Sequence, residues 1–350
     1  MRSFLIAIAL TACGSTPAKP VEPAAPAASS PAAAPATVAA AAPAAEVVVP
    51  LVGGGNAVVW DAGTSTLYLT DSNADALLRW TDHGRLETVG GFPAATGGVG
   101  LGDIVRRPDG TILVTSFGYG KQGTLFAMAP DHSSQALTGL EPSRRRIGLA
   151  QDASGVLYSA YFVAGGKRGD GKAGDGKAGD GKAGDGKRGN GMGSADLGGG
   201  RGMGAGEGGG VAIVAITGSA ATETEIAGGS TGADFHKLVG IVAAPGAVFV
   251  SDQSQKLIYK IAVPGFAVSR LAEVPAVDLL AILPNGDLLT GGGSTISRIT
   301  QDGHVTALPF TGFEQVRGLA YDPAGKRLFV INHSKTVGVP DKLHILPFAG

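Results

Sequence analysis

The chain is poor in the features that would place it quickly. It has one cysteine, Cys13, so no disulfide can form within it. Lys and Arg number 28 against 29 Asp and Glu, a net charge of −1, so nothing marks it as a binder of nucleic acid or another polyanion. No apolar run reaches the ~18 residues that a membrane-spanning helix needs. No long amphipathic helix is visible, and no Ser-His-Asp or Cys-His arrangement can be read. What is abundant is glycine, 58 of 350 residues. Glycine and alanine concentrate in two low-complexity tracts. The 44% hydrophobic content suits a globular protein, and the length allows one large domain or two small ones.

The single cysteine has a telling position. Arg2 is a short positive region and Phe4–Leu10 an apolar one. Leu10-Thr11-Ala12-Cys13 then resembles the lipobox of bacterial lipoproteins. That resemblance implies removal of a signal peptide, residues 1–12, and lipidation of Cys13. Each buried methylene contributes ~0.8 kcal/mol, so several acyl chains hold a protein to a membrane. Gly14 in place of Asp implies export to the outer membrane, facing the periplasm or the surface. An ordinary secretory signal is the alternative. Residues 13–45 are then a tether, almost all Ala, Pro, Ser and Thr, with recurring Pro that breaks any helix.

From Glu46 onward the chain repeats itself. Each unit is a short apolar strand, a turn rich in Asp, Pro, Asn and Gly, and a second apolar strand. The units begin at Asn56, Asp103, Gly148, Gly240, Leu279 and Gly318, so the starts lie 47, 45, 92, 39 and 39 residues apart. The doubled interval holds the second low-complexity tract, Gly165–Gly210, with its GDGKA repeat. Removing that tract restores the period. Six units with four strand candidates each predict an all-β fold, a six-bladed β-propeller over 46–350. The last unit supplies three strands; EVVVPLV at 46–52 is available as its fourth and would close the ring.

The stretches VVWDAGTSTLYLTDSNADALLRW and VFVSDQSQKLIYKI resemble six-bladed propellers of the NHL-repeat and gluconolactonase-like (senescence-marker-protein) group. That resemblance implies a divalent metal, calcium, zinc or manganese, at the central channel. Its first ligand position, usually Glu, falls on Asn56. Its Asn-Gly falls on Ile147-Gly148, which lacks the ligand, and its Asp is echoed by Asp278. An amide is a weaker ligand than a carboxylate for a hard cation.

The glycine-rich tract falls between the second and third strands of the third unit, on the face that carries a propeller's ligand site. Its G-x-G-x-x-G matches lack the following helix that a dinucleotide site needs. Each Asp is shadowed by a Lys, so the tract reads as a solvated arm of near-balanced charge. The ligand-binding candidates on that face are Asn56, Asp103, Arg146, Tyr161, His236, Asp252, Asp278, Arg317 and Asn332, with Asp103 and Asp278 as weak metal candidates. Asp71, Tyr119, Arg145 and His333 share the face, and Asp71 and Asp252 also suit loop capping. Arginine there would suit a carboxylate or phosphate. His83, His132 and His304 fall in turns on the opposite face.

These readings converge on a monomeric envelope lipoprotein whose propeller binds a small ligand or a protein partner, with no nucleic acid. The alternative is a gluconolactonase-like hydrolase with an altered metal site built on Asp103 and Asp278. Streptogramin-lyase activity is a third option that no residue selects.

Overall fold

The computed structural model describes residues 45–81, 84–93, 100–118, 123–163 and 208–350. The signal peptide, Cys13, the tether up to residue 44, His83, Tyr119 and residues 164–207 of the glycine-rich tract lie outside the described residues.

Among the described residues, twenty-four strands, taken in chain order, form six four-stranded antiparallel sheets. The first blade holds β2 (Gly55–Asp61), β3 (Thr66–Asp71), β4 (Ala76–Trp80) and β5 (Leu86–Gly91). The second holds β6 (Leu101–Arg106), β7 (Ile112–Ser116), β8 (Thr124–Met128) and β9 (Ser134–Ala136). The third comprises β10 (Arg144–Gln151), β11 (Leu157–Val163), β12 (Gly209–Thr217) and β13 (Ala220–Gly228). The fourth comprises β14 (Leu238–Ala244), β15 (Ala247–Asp252), β16 (Leu257–Ala262) and β17 (Val268–Glu273). In the fifth are β18 (Leu280–Ile282), β19 (Leu288–Thr290), β20 (Ser297–Ile299) and β21 (Val305–Ala307). The sixth joins β22 (Val316–Asp322), β23 (Arg327–Asn332) and β24 (Lys342–Pro347) to β1 (Val47–Pro50). The inner strands touch in a closed circle: β2 meets β6 and β22, β10 meets β6 and β14, and β18 meets β14 and β22.

The expected closure is present. Val47 pairs with Ile345 and Val49 with Leu343. Leu51 continues inward, fully buried, and its N–H donates to Asp341 O at 2.8 Å. Across the same seam His344 Nδ1 lies 2.6 Å from Glu46 Oε1.

Stacking explains the sequence pattern. A blade between two neighbours buries both faces, so its middle strands are apolar without alternation; all five residues of β7 are buried. One apolar cluster fills each of the six blade interfaces. Between blades six and one it is built on Leu51, Leu67, Leu69, Trp80, Phe329, Ile331 and Leu343. Glycines in the inner strands let neighbouring backbones approach. A Cβ on Gly102 would sit 2.7 Å from Ile147 O, and one on Gly318 2.6 Å from Asn56 O.

A device that sequence reading missed ties successive blades. Thr70 Oγ1 accepts from Ala57 N–H at 3.0 Å and donates to Gly102 O of the next blade at 3.2 Å. Thr115 accepts from Asp103 N–H at 2.7 Å and donates to Ile147 O at 2.6 Å. Ser251 accepts from Gly240 N–H at 2.9 Å and donates to Asp278 O at 2.7 Å. Each hydroxyl satisfies a buried donor and a buried acceptor that the ladder leaves open.

The glycine-rich tract does leave from the β11–β12 loop, on the expected face, but its end needs correction. Gly209 and Gly210 are the first residues of β12, paired with Phe162 and Tyr161. A Cβ on Gly210 would lie 2.4 Å from the Tyr161 hydroxyl. Those two glycines are needed for pairing, which composition cannot distinguish from low complexity.

Candidate functional site

Inner strands of five blades carry a bulge near their start, which turns a side chain toward the axis. The register shifts lie between Gly55 and Val58, Leu101 and Ile104, Arg146 and Gly148, Leu238 and Gly240, and Val316 and Leu319. Asn56, Ile147, Val239 and Arg317 sit in these bulges, and Asp278 holds the matching place ahead of β18. A narrow cleft with a cavity volume of about 20 Å³ opens here, lined by Asn56, Phe117, Ile147, Lys237, Val239, Gln253 and Asp278.

Its exposed lining is mostly apolar, from Phe117, Ile147 and Val239, with four polar side chains converging on it. Asn56 Nδ2 donates to Leu101 O at 2.7 Å, which fixes the amide and leaves Oδ1 toward other partners. Asp278 is buried; its Oδ1 accepts from Leu279 N–H at 3.1 Å. Burial pushes its carboxyl up to about 6, against the downward pull of Arg317, Lys237 and His333. Lys237 is half-buried, and burial depresses its ammonium below the usual lysine range, with Asp278 and Asp252 opposing. Its carbonyl accepts from Gln253 N–H at 2.9 Å, which sets the two side chains beside each other. Among the described residues Lys237 Nζ makes no hydrogen bond or ion pair.

His333 and Asp341 form a second buried group, with Nδ1 2.9 Å from Oδ1. Asp341 Oδ1 also accepts from Ser334 N–H at 3.0 Å, so the pair closes the β23–β24 loop.

No protein-family model matches the chain, and no curated protein matches it. Solved structures do. A gluconolactonase from Xanthomonas campestris is 15% identical with a TM-score of 0.59, covering 86% of this chain and 89% of that one. Regucalcin from Agrobacterium tumefaciens, a calcium-binding protein, is 12% identical with a TM-score of 0.56, covering 86% and 95%. Virginiamycin B lyase from Staphylococcus aureus is 14% identical with a TM-score of 0.53, covering 87% and 99%. This chain is a six-bladed β-propeller. At these identities the likeness is one of fold, and a fold hosts many activities.

The propeller's channel mouth does not fit the divalent metal that the resemblance implied. Among the described residues no three His, Cys, Asp or Glu side chains cluster to hold an ion. Asp278 already faces two cations, Arg317 and Lys237. Asp103 is outside the cleft lining and engaged elsewhere. Its two oxygens accept from Ile104 N–H at 2.9 Å and Leu149 N–H at 3.1 Å, bracing blade two against blade three.

The remaining candidates divide clearly. Asn56 and Asp278 line the cleft, and Arg317 is buried close enough to act on Asp278. Arg146 is fully buried and paired with Glu223 at 2.5 Å, so it is a structural ion pair rather than a ligand for an outside anion. Tyr161 donates to Glu225 in the same cluster. Asp252 caps its loop, accepting from His236 N–H at 2.7 Å and Ser254 N–H at 3.0 Å. Asp71 does likewise, accepting from Gly54 N–H at 3.1 Å and Ala74 N–H at 3.0 Å. Asn332 accepts from Glu314 N–H at 2.9 Å and Gln315 N–H at 3.1 Å. The His236 ring stays at the surface beside Asp234. Lys237 and Gln253 were missed; each adjoins a residue picked from the sequence, and the side chain that enters the cleft is the neighbour.

Asp103 carries a pH signature. Burial raises its carboxyl to about 7. Between its unfolded pKa of ~4 and that value the native state holds a proton that the unfolded chain has released. Stability from this site is therefore full below pH ~4 and declines as pH rises toward 7. Calorimetric melting temperatures should fall from pH 5 to pH 8, and less steeply in Asp103→Asn. Equal slopes in the two proteins would refute this assignment.

Proposed function

We propose that the propeller is a binding module for a small, polar, sugar-derived ligand held at the channel mouth, carried on a lipid-anchored envelope protein. The observation behind this reading is the convergence of Lys237, Gln253, Asn56 and Asp278 on one cleft with apolar walls. Amine, amides and carboxyl together offer donors and acceptors for hydroxyl and carbonyl groups. Ile147, Val239 and Phe117 suit the C–H faces of a sugar ring. A metal-dependent hydrolase built on Asp103 and Asp278 is disfavoured by the separate engagement of Asp103.

The test is calorimetric titration of the full chain with aldoses, aldonates and aldonolactones, with and without calcium, zinc and manganese. Binding without metal is expected, weakened roughly 10- to 100-fold in Lys237→Met through loss of one charge-assisted hydrogen bond. Metal-dependent lactone turnover would reject the reading in favour of the hydrolase. For the anchor, Cys13→Ser should move the protein from the membrane to the soluble fraction; retention would refute lipidation there.

A further inference from the structure

We propose that Lys237 captures the carbonyl group of its ligand covalently, as an imine, at the mouth of the central channel. The substrate class is an aldehyde or ketone on a short hydroxylated carbon chain. This rests on the binding reading above and assigns chemistry to one atom within it.

Position is the main support. Lys237 lines the cleft, half-buried, with no acceptor among the described residues for its Nζ. Lysines held for structure place the ammonium on a carboxylate. Here the backbone of Lys237 is engaged while its head group is not. Its N–H donates to Asp252 Oδ1 at 3.3 Å and its carbonyl accepts from Gln253. The Phe162 ring centroid lies 6.0 Å from Nζ, a distant cation–π contact and no substitute for an acceptor. Partial burial raises the neutral, nucleophilic fraction of a lysine. The direction of the Lys237 shift agrees, with burial as its largest cause.

Asp278 supplies the second element. It lines the same cleft and acts electrostatically on Lys237. The neutral amine attacks the carbonyl carbon; a C–N bond forms and the C=O π pair moves to oxygen. The nitrogen, now positively charged, gives up one proton and that oxygen takes one, giving a neutral carbinolamine. Asp278, protonated, donates to the hydroxyl, which leaves as water while the nitrogen lone pair forms C=N. The nitrogen's proton returns to the Asp278 carboxylate when the imine is neutral. One carbonyl and one amine give one imine and one water, with no oxidant or reductant. Water reverses the step, so the adduct is a reversible capture. Phe117, Ile147 and Val239 are the apolar part of the lining.

The experiment is reductive trapping. The full chain is incubated with dihydroxyacetone and borohydride, then read by intact mass and peptide mapping. A single gain equal to the ketone's mass less one oxygen atom is expected, located on Lys237. It should be lost in Lys237→Arg, which keeps the charge. Labelling spread over surface lysines, or unchanged in Lys237→Arg, would overturn the proposal. So would an unmodified Lys237 in a protein that binds sugar ligands by calorimetry; the binding reading would survive that result. Absence of both adduct and binding would end the two together. The wild-type peptide map decides the question even if the variant fails to fold.

Discussion

Glu223→Ala is expected to cost about 3–5 kcal/mol of stability, the usual penalty for stripping the partner from a buried charge. Arg146 is fully buried, and its guanidinium is met on every side. Nε donates to Glu223 Oε1 at 2.8 Å and one terminal nitrogen to Oε2 at 2.5 Å. The carbonyls of Gly123, Arg144 and Glu141 accept at 2.8, 3.0 and 2.9 Å. Removing the carboxylate leaves the charge with carbonyl dipoles alone. Arg144, stacked 4.1 Å from the Tyr161 ring centroid, loses one of its two carboxylates as well. Glu223→Gln retains an acceptor and should cost less. A urea midpoint unchanged in Glu223→Ala would show that water compensates Arg146, and would reopen it as a ligand-facing residue.

The second large effect concerns the seam. Leu51→Ala should destabilise by about 2–5 kcal/mol, because the site is closed by Ile331 and Leu343 and cannot collapse freely. Val48→Ala, on the exposed side of the same segment, should stay within about 0.5 kcal/mol. Intrinsic fluorescence is the natural readout. The chain has two tryptophans. Trp60 stacks on Phe329 with centroids 5.2 Å apart, and Trp80 meets the same ring edge-on at 5.9 Å. Both therefore report the interface of blades one and six. Equal urea midpoints for Leu51→Ala and the parent would mean that the N-terminal strand contributes pairing without packing.

The candidate site was only half legible. Asn56 and Asp278 are picked out by the family resemblance and Arg317 by its place at an inner-strand start, and the structure sets the first two on the cleft. Arg146 stands at a comparable place and was misread. Its partner Glu223 lies on the outermost strand of the same blade, beyond the glycine-rich tract, and no local spacing links the two. Lys237 was passed over for His236 because a loop's composition does not say which of two adjacent side chains turns inward. The backbone decides that: His236 and Lys237 both donate to Asp252, and only the second then faces the cleft. His333 was singled out, but its tie to Asp341 depends on how the β23–β24 loop folds back, which residue order alone does not state.

The sequence by itself determined the six-unit period, the four strands in each unit, the place of the inserted tract and the circular closure. These follow from hydrophobic runs and turn residues, which are properties of neighbours along the chain. Tertiary structure alone decided which polar side chains meet. Inner-strand bulges, hydroxyls bridging one blade to the next and the pairing of Arg146 with Glu223 arise where strands far apart in the chain are forced together. Local residue preferences specify strands and turns; the partner of a buried charge is chosen only when the sheets stack.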